Sequence, residues 1–443
     1  MGTTQLKYTP NSTSIRYKAT ISVWVKRTNI GAEGWIFEGK NGTGQADGFR
    51  FQANNTISML LNDGGGGSCT TNRLFRDPNS FYHLMWVVDT TQVTASDRMK
   101  LYVNGVQETS FSSASYPAQN FAIEGTFVNG NDMYIGTQHG YNFFEGVMSH
   151  YHICDGYVYQ PSDFGETDAT TGEWKIKTSP SVSYGTHGAF ILKDGNSVTD
   201  QSGNSNNWSV HGGTLTNLKD NPSNNFCNIN TLYQQTTGEG VVVNNCGNTV
   251  YYASNASRSC FGSIAPSSGK YYFEAKVFGG TGTVVIGIVN MAWSGLNGAA
   301  GAFHDNALNF GYNVSGQTTS GGSNTAYGSS ISDGDIVGVA MDLDNSKLYF
   351  SLNGVFQGSG DPTSGATGTG SAFNLASGAN YTGACRLRNG TQVGFNFGNG
   401  QYSGSNLVTT NSGDGYSGAD GASKFTYQPP ALYSAISTKG LNE

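Results

Sequence analysis

The sequence predicts an all-β chain: two antiparallel β-sandwiches joined by an ordered connector. Three observations carry this. The first is composition. The 443 residues include 63 Gly, 24 Tyr and 24 Phe, and only 12% are charged. Runs of Ala, Leu, Glu and Lys at helical spacing are almost absent, so strands with many tight turns and polar loops are expected. The aromatic content argues against disorder. The second is the stretch 335–357, DIVGVAMDLDNSKLYFSLNGVFQ. Val337, Val339, Met341 and Leu343 alternate with Gly338, Ala340 and Asp342, the period of a strand with one buried face. Asp344-Asn345-Ser346 breaks the run. Leu348, Phe350 and Leu352 resume it, with Lys347, Tyr349 and Ser351 on the other face. Asn353-Gly354 tolerates positive φ at both central turn positions and sends Val355-Phe356 back as a third strand. The third is that Lys100–Gln107, KLYVNGVQ, repeats this order. Two copies suggest two related β domains rather than one large fold.

Taken in order, residues 1–160 read as the first sandwich. Its strands are expected at Thr20–Lys26, Trp35–Phe37, Gly48–Phe51, Ile57–Leu61, Phe81–Asp89, the Leu101 hairpin, Met133–Gly136 and Gly146–Ile153. Short strands at this spacing suit two packed antiparallel sheets. Residues 161–226 form the connector, rich in Gly, Ser, Asn and Asp. Its isolated Trp174, Phe190 and Trp208 would anchor it, with a short strand at Gly188–Leu192, because a free linker lacks such anchors. Residues 227–427 read as the second sandwich, with strands at Gly269–Val277, Val284–Val289, Leu308–Tyr312, the 335–357 meander and Val393–Phe397. Residues 428–443 are expected to be a short tail, with a helical turn at Tyr433–Thr438.

The formal net charge is -7 and no basic cluster exists. Nucleic acid and anionic membrane surfaces are therefore disfavoured as partners. No apolar run approaches about 18 residues, and the amino terminus lacks a basic-plus-apolar signal region. A soluble protein without membrane insertion or a cleaved signal is expected. The six cysteines, at 69, 154, 227, 246, 260 and 385, include no Cys-x-x-Cys pair. Free, mostly buried thiols are expected; a disulfide among Cys227, Cys246 and Cys260 stays open.

Several stretches resemble known families. FRDPNSFYHLMWVVDTTQVTASDRMKLYVNGVQ, Phe75–Gln107, closely resembles the LamG-like, concanavalin A-type domain of tailed-bacteriophage structural proteins. HICDGYVYQPSDFGETDATTGEWKIK, His152–Lys177, resembles the segment that follows it there, and YGTHGAFILKD, DQSGNSNNW and DNPSNNFCNIN match the same connector. GKYYFEAKV, GIVN and DGDIVGVAMDLDNSKLYFSLNGVFQ resemble the SPRY domain, itself a curved β-sandwich. The first resemblance implies a virion protein, assembled in the bacterial cytoplasm among other virion proteins and following the symmetry of the particle. The second implies binding of protein partners through loops at one end, with neither metal nor cofactor.

Tests for reactive chemistry mostly fail on spacing. Polysaccharide cleavage needs two carboxylates at a fixed separation. The nearest match to the strand pattern Glu-x-Asp-x-x-Glu is Glu166, Asp168 and Glu173, but the last spacing is wrong and Gly165 and Gly172 put it in a loop. His150 and His152 share a predicted strand face, which reads as an ordinary exposed face rather than a zinc site. Asp342-x-Asp344 lacks the glycine and final glutamate of a calcium loop. A lone calcium at Asp63, as in other LamG domains, stays open. Ser268-Gly269-Lys270 has Tyr271 where a phosphate loop needs Ser or Thr, and a strand follows it. Recognition remains: loops of Asn, Asp, Gln, Tyr and Trp offer donors and acceptors beside flat rings. Trp293, Asn297, His304 and Tyr312, in or beside a Gly-rich loop, are the binding candidates. No catalytic residue, metal or cofactor is expected. No heptad run exists to build a stalk. The expected function is a non-enzymatic virion structural protein, as capsid decoration or a tail or fibre component. A host glycan-binding adhesin is the alternative, and a polysaccharide depolymerase stands last.

Overall fold

Alternation of side chains along extended strands sets the layers of this protein. The structure, a computed structural model, describes residues 3–193, 197–234, 242–244, 248–253, 257–279, 283–297, 302–403, 406–407 and 415–442. The chain divides into two units, Met1–Asn217 with Asn221–Ser223, and Leu218–Asp220 with Asn224–Glu443.

The first unit is a sandwich of two sheets. The eight-stranded sheet runs in the order Phe111–Ser115, Gly67–Thr71, Ile57–Leu61, Ala46–Phe51, Gly34–Lys40, Asp132–Ile135, Gln5–Tyr8, Ser209–Gly212. The six-stranded sheet runs Ala189–Ile191, Gly146–Asp155, Lys18–Arg27, Tyr82–Asp89, Met99–Val103, Val106–Gln107. Ile21, Val23 and Val25 alternate toward the interior with Leu84, Trp86 and Val88, and meet Phe37, Phe49 and Met59 from the other sheet.

In the second unit a seven-stranded sheet runs Ile229–Gln234, Arg258–Gly262, Tyr381–Leu387, Val285–Asn290, Phe310–Asn313, Gln317–Ser320, Ser323–Ala326. The nine-stranded sheet runs Val242–Asn244, Thr249–Tyr252, Thr391–Asn396, Lys270–Phe278, Ile336–Asp342, Lys347–Leu352, Val355–Phe356. Phe373–Asn374 pairs with Lys347–Leu352, and Ser434–Ala435 pairs with Lys270–Phe278. Val337, Val339, Met341, Leu348 and Phe350 face the interior, as the alternation requires. Both units are thus all-β sandwiches, antiparallel except for the pairing of Ser434–Ala435. Among the described residues no helix is long and apolar enough to cross a membrane.

Three expectations need correction. The stretch 161–226 is not set apart from the first sandwich. Its Ala189–Ile191 strand pairs with Gly146–Asp155, and its Ser209–Gly212 strand pairs with Gln5–Tyr8. Residues through Asn217 therefore belong to the first unit. Phe164 and Tyr184 cover Met85, Val87, Tyr102, Cys154 and Phe190 on the outer face of the six-stranded sheet, and Trp208 joins the interior. Second, the carboxyl end is not a tail. Ser434–Ala435 adds a parallel strand to Lys270–Phe278. Tyr433 and Phe425 bury Tyr272, Ala340 and Tyr349, so the 336–352 strands have no solvent face. Third, the extended pairing at Ser434–Ala435 replaces the helical turn expected at Tyr433–Thr438; a 3-10 turn follows at Gly440–Asn442. Its cause is the row of backbone groups that the Lys270–Phe278 strand offers.

The repeated Asn-Gly device has one geometry in both units. Asn104 and Gly105 adopt φ 48° and 81°, and Asn353 and Gly354 adopt 49° and 83°. The Asn104 side chain accepts from His83 N at 2.8 Å, and that of Asn353 from Ile336 N at 3.0 Å. Each turn glycine is then covered by a ring from the outer layer. A Cβ on Gly105 would stand 2.7 Å from Trp174, and one on Gly354 2.5 Å from Tyr427.

Cys69, Cys154, Cys260 and Cys385 are buried free thiols, and Cys227 is buried too. Cys246 lies outside the described residues. The sulfur of Cys260 lies beside that of Cys385, outside the set Cys227, Cys246 and Cys260.

Gly105→Ala and Gly354→Ala are expected to destabilise their own units. The left-handed backbone alone costs roughly 1–2 kcal/mol, and ring displacement adds to it. Tyr433 is wholly buried and donates to Pro362 O at 3.1 Å. Its replacement by Ala should cost roughly 3–5 kcal/mol. Urea unfolding of each variant against the parent checks both; an unchanged midpoint for Tyr433→Ala would mean that the carboxyl end is not part of the core.

Candidate recognition surfaces

The four residues expected to bind do not form one site. The Phe310–Asn313 strand alternates, so Tyr312 points inward beside Phe310. Its ring stacks on Phe350 at 5.5 Å and its hydroxyl donates to Ser329 O. Tyr312 is a core residue. Its alternation with Gly311 was the available signal. Trp293 and His304, by contrast, share the outer face of the seven-stranded sheet, over Phe261, Val285, Val289 and Phe303. Asn297 closes a 3-10 turn at Ser294–Asn297, and its side chain lies outside the described residues.

This face is largely apolar. Trp293 is half-buried, its ring edge-on to Phe261 at 6.1 Å. His304 is buried, and its Nδ1 has no hydrogen-bond partner among the described residues. Burial, helped by the charge of Arg386, pushes its imidazole down to about 4, so it is neutral near pH 7. Arg386 is held by Ser257, whose Oγ accepts from Nε at 3.0 Å and Nη2 at 2.6 Å.

A second surface lies on the first unit and was not legible in the sequence. Val87, Asp89, Lys100 and Tyr102 from the six-stranded sheet meet Gln92, Asp97, Val158, Tyr159 and Gln160 around a hollow of ≈ 220 Å³. Its Asp97 pairs with Lys100 at 2.9 Å. Asp89 accepts from Thr91 Oγ1 at 2.6 Å and Gln92 Nε2 at 2.7 Å. Tyr157 stacks on Tyr159 at 6.1 Å beside it. Phenol, amide and carboxylate groups around a shallow hollow suit hydroxyl-rich or peptide ligands.

Several other acids and imidazoles are turned toward the protein itself. Asp47 accepts from Asn62 N at 2.8 Å, Gly125 N at 2.5 Å and Thr126 N at 3.1 Å. Burial pushes it up to about 6 against these bonds. Asp63 accepts from Ala46 N at 3.1 Å. Asp342 is paired with Lys270 at 2.9 Å, and Asp344 accepts from Gly269 N at 2.7 Å. Glu274 is wholly buried and accepts from Tyr402, Thr426 N, Tyr427 N and Asn396, all in the layer over its strand or at its edge. Glu166 and Asp168 share Lys175, at 3.6 and 3.1 Å. His150 and His152 are not on an exposed face. His150 sits in a bulge at φ 47°, and His152 stacks on Phe190 at 4.0 Å and meets Tyr184 Oη at 2.9 Å. Among the described residues no group of three or more His, Cys, Asp or Glu could hold a metal ion.

Against this geometry stand the comparisons. Residues 1–161 match the concanavalin A-like lectin/glucanases superfamily, and residues 270–400 match the SPRY domain. The first match stops before the strands at Ala189–Ile191 and Ser209–Gly212 that complete the unit. No curated protein matches the chain. Similar solved structures include the SPRY domain of human HERC1, with TM-score 0.30 and 18% identity over 38% of this chain and 96% of that one. A human SPRY domain has TM-score 0.28 and 20% identity over 35% and 93%. The heptameric SAP-like pentraxin from Limulus polyphemus has TM-score 0.27 and 16% identity over 36% and 72%. The chain carries a LamG-like, concanavalin A-like domain and a SPRY domain. Domains of these two kinds suggest a protein-binding or glycan-binding module.

The buried imidazoles give the first unit a pH dependence. His83 lies between Trp24 and Trp174, at 4.9 and 5.9 Å, and burial pushes it down to about 3. Burial also holds His152 well below its ordinary value. The unfolded chain takes up these protons near pH 6.5 while the folded chain does not. Stability is therefore full above that pH and falls on acidification, by about 1.4 kcal/mol per pH unit for each imidazole. His83→Gln should flatten this slope in unfolding measured from pH 7 to pH 5; a slope unchanged from the parent contradicts the assignment.

Proposed function

We propose that this chain is a non-enzymatic structural protein of a tailed-bacteriophage particle. It is displayed on the virion as capsid decoration or as a tail or fibre component. There it contacts other virion proteins, further copies of itself in a symmetric array, or a host-surface glycan. The observation that carries the recognition reading is the use made of the acids. Asp47, Glu274, Asp342 and Asp344 bind backbone, Tyr or Lys groups of the fold, while Trp293, Tyr157 and Tyr159 stay reachable at its surface. The particle reading is supported by the resemblance of Phe75–Gln107 and His152–Lys177 to phage structural proteins.

A host glycan-binding adhesin is the second reading, favoured by the hollow between Tyr102, Tyr159, Gln92 and Gln160. A depolymerase stands last, because Glu166 and Asp168 both lean on one lysine.

Antibody labelling or a map of purified particles should place this chain on their exterior; particles that lack it refute the virion role. On a glycan array, the adhesin reading predicts binding that Tyr159→Ala weakens about tenfold. Silence across the array removes that reading and leaves protein contact. Release of oligosaccharide from a host polysaccharide would contradict the non-enzymatic assignment.

A further inference from the structure

Cys260 and Cys385 stand directly opposite each other on two neighbouring antiparallel strands, Arg258–Gly262 and Tyr381–Leu387. Both side chains point into the interior between the sheets and are wholly buried. Their sulfurs are 3.1 Å apart. Opposed residues of an antiparallel pair have Cα atoms about 4.5–5.5 Å apart, inside the roughly 4.4–6.8 Å that a disulfide spans. The backbone is therefore already placed, and only a closing of the two sulfurs is needed. Cys227, in the same core, has Ser263 Oγ beside its sulfur at 3.8 Å.

We propose that Cys260 and Cys385 are an oxidation site, a dithiol that a small hydroperoxide converts into a cross-strand disulfide within the folded second unit. One sulfur, as thiolate, attacks a peroxide oxygen; the S–O bond forms, the O–O bond breaks, and water leaves with the proton. The product is a sulfenic acid. The second sulfur attacks that sulfur, the S–S bond forms, and hydroxide leaves and takes the second thiol proton as water. Two thiols lose two protons and two electrons, and one hydrogen peroxide becomes two waters.

Burial holds the Cys385 thiol well above its ordinary range, so thiolate is scarce in the closed sheet. The reaction is gated by local opening. The strand bearing Cys260 has an irregular partner on its outer side, where the register with Ile229–Gln234 shifts, and that side offers the route.

The test uses the full folded chain, held with hydrogen peroxide, then alkylated, denatured and digested with trypsin without reductant. The expected product joins peptide Ser259–Lys270 to peptide Leu348–Arg386, lighter by two hydrogen atoms and separated by dithiothreitol. Cys385→Ser should abolish it and Cys154→Ser should leave it. If a variant does not fold, the map of the parent chain decides alone. Recovery of both peptides alkylated, once methionines have been oxidised, overturns the proposal. So does sulfinic or sulfonic acid at either cysteine, or linkage of either to a different thiol.

Discussion

The structure depends on the need to cover the outer faces of its sheets. In an ordinary antiparallel sandwich one face of each sheet meets water. Here the outer face of the six-stranded sheet carries Met85, Val87, Tyr102 and Cys154. That of the nine-stranded sheet carries Tyr272, Ala340 and Tyr349. Left bare, each would be an exposed apolar patch. The chain covers the first with Phe164 and Tyr184, and the second with Phe425 and Tyr433. Segments that look like connector and tail are structural layers for this reason.

The same layers satisfy the polar groups buried beneath them. Glu274 would be an uncompensated buried acid without Thr426 N and Tyr427 N, at 2.9 and 2.8 Å. His83 finds Ser22 Oγ at 2.8 Å on its own sheet and Trp174 Nε1 at 3.0 Å from above. The layer over each sheet therefore follows a repeated rule: aromatic rings dock on the glycine of an Asn-Gly turn, and nearby donors meet a polar group that the strand had buried. Acids used in this way hold the covering layers to the strands beneath them.

Much of the fold was legible in the residues. The alternation of Val337, Val339 and Met341, and of Leu348 and Phe350, gave the inner face of the meander. Asn104-Gly105 and Asn353-Gly354 gave the turns, because few other dipeptides accept positive φ twice. The candidate site was legible only in part. Trp293 and His304 do share one face, but Tyr312 is interior. The hollow on the first unit escaped, since Tyr102 and Tyr159 come together only when the chain folds back over the sheet.

The sequence by itself determined the all-β class, the two sandwiches, the hairpin turns and the inward side of the core strands. These follow from local rules: side-chain period, turn chemistry and the scarcity of helix formers. Only the tertiary structure decided that residues 161–217 and the carboxyl end are integral layers, that His150 and His152 are buried, and that Cys260 faces Cys385. Those facts depend on long-range register and on which surface covers which, and neither leaves a periodic trace in the chain.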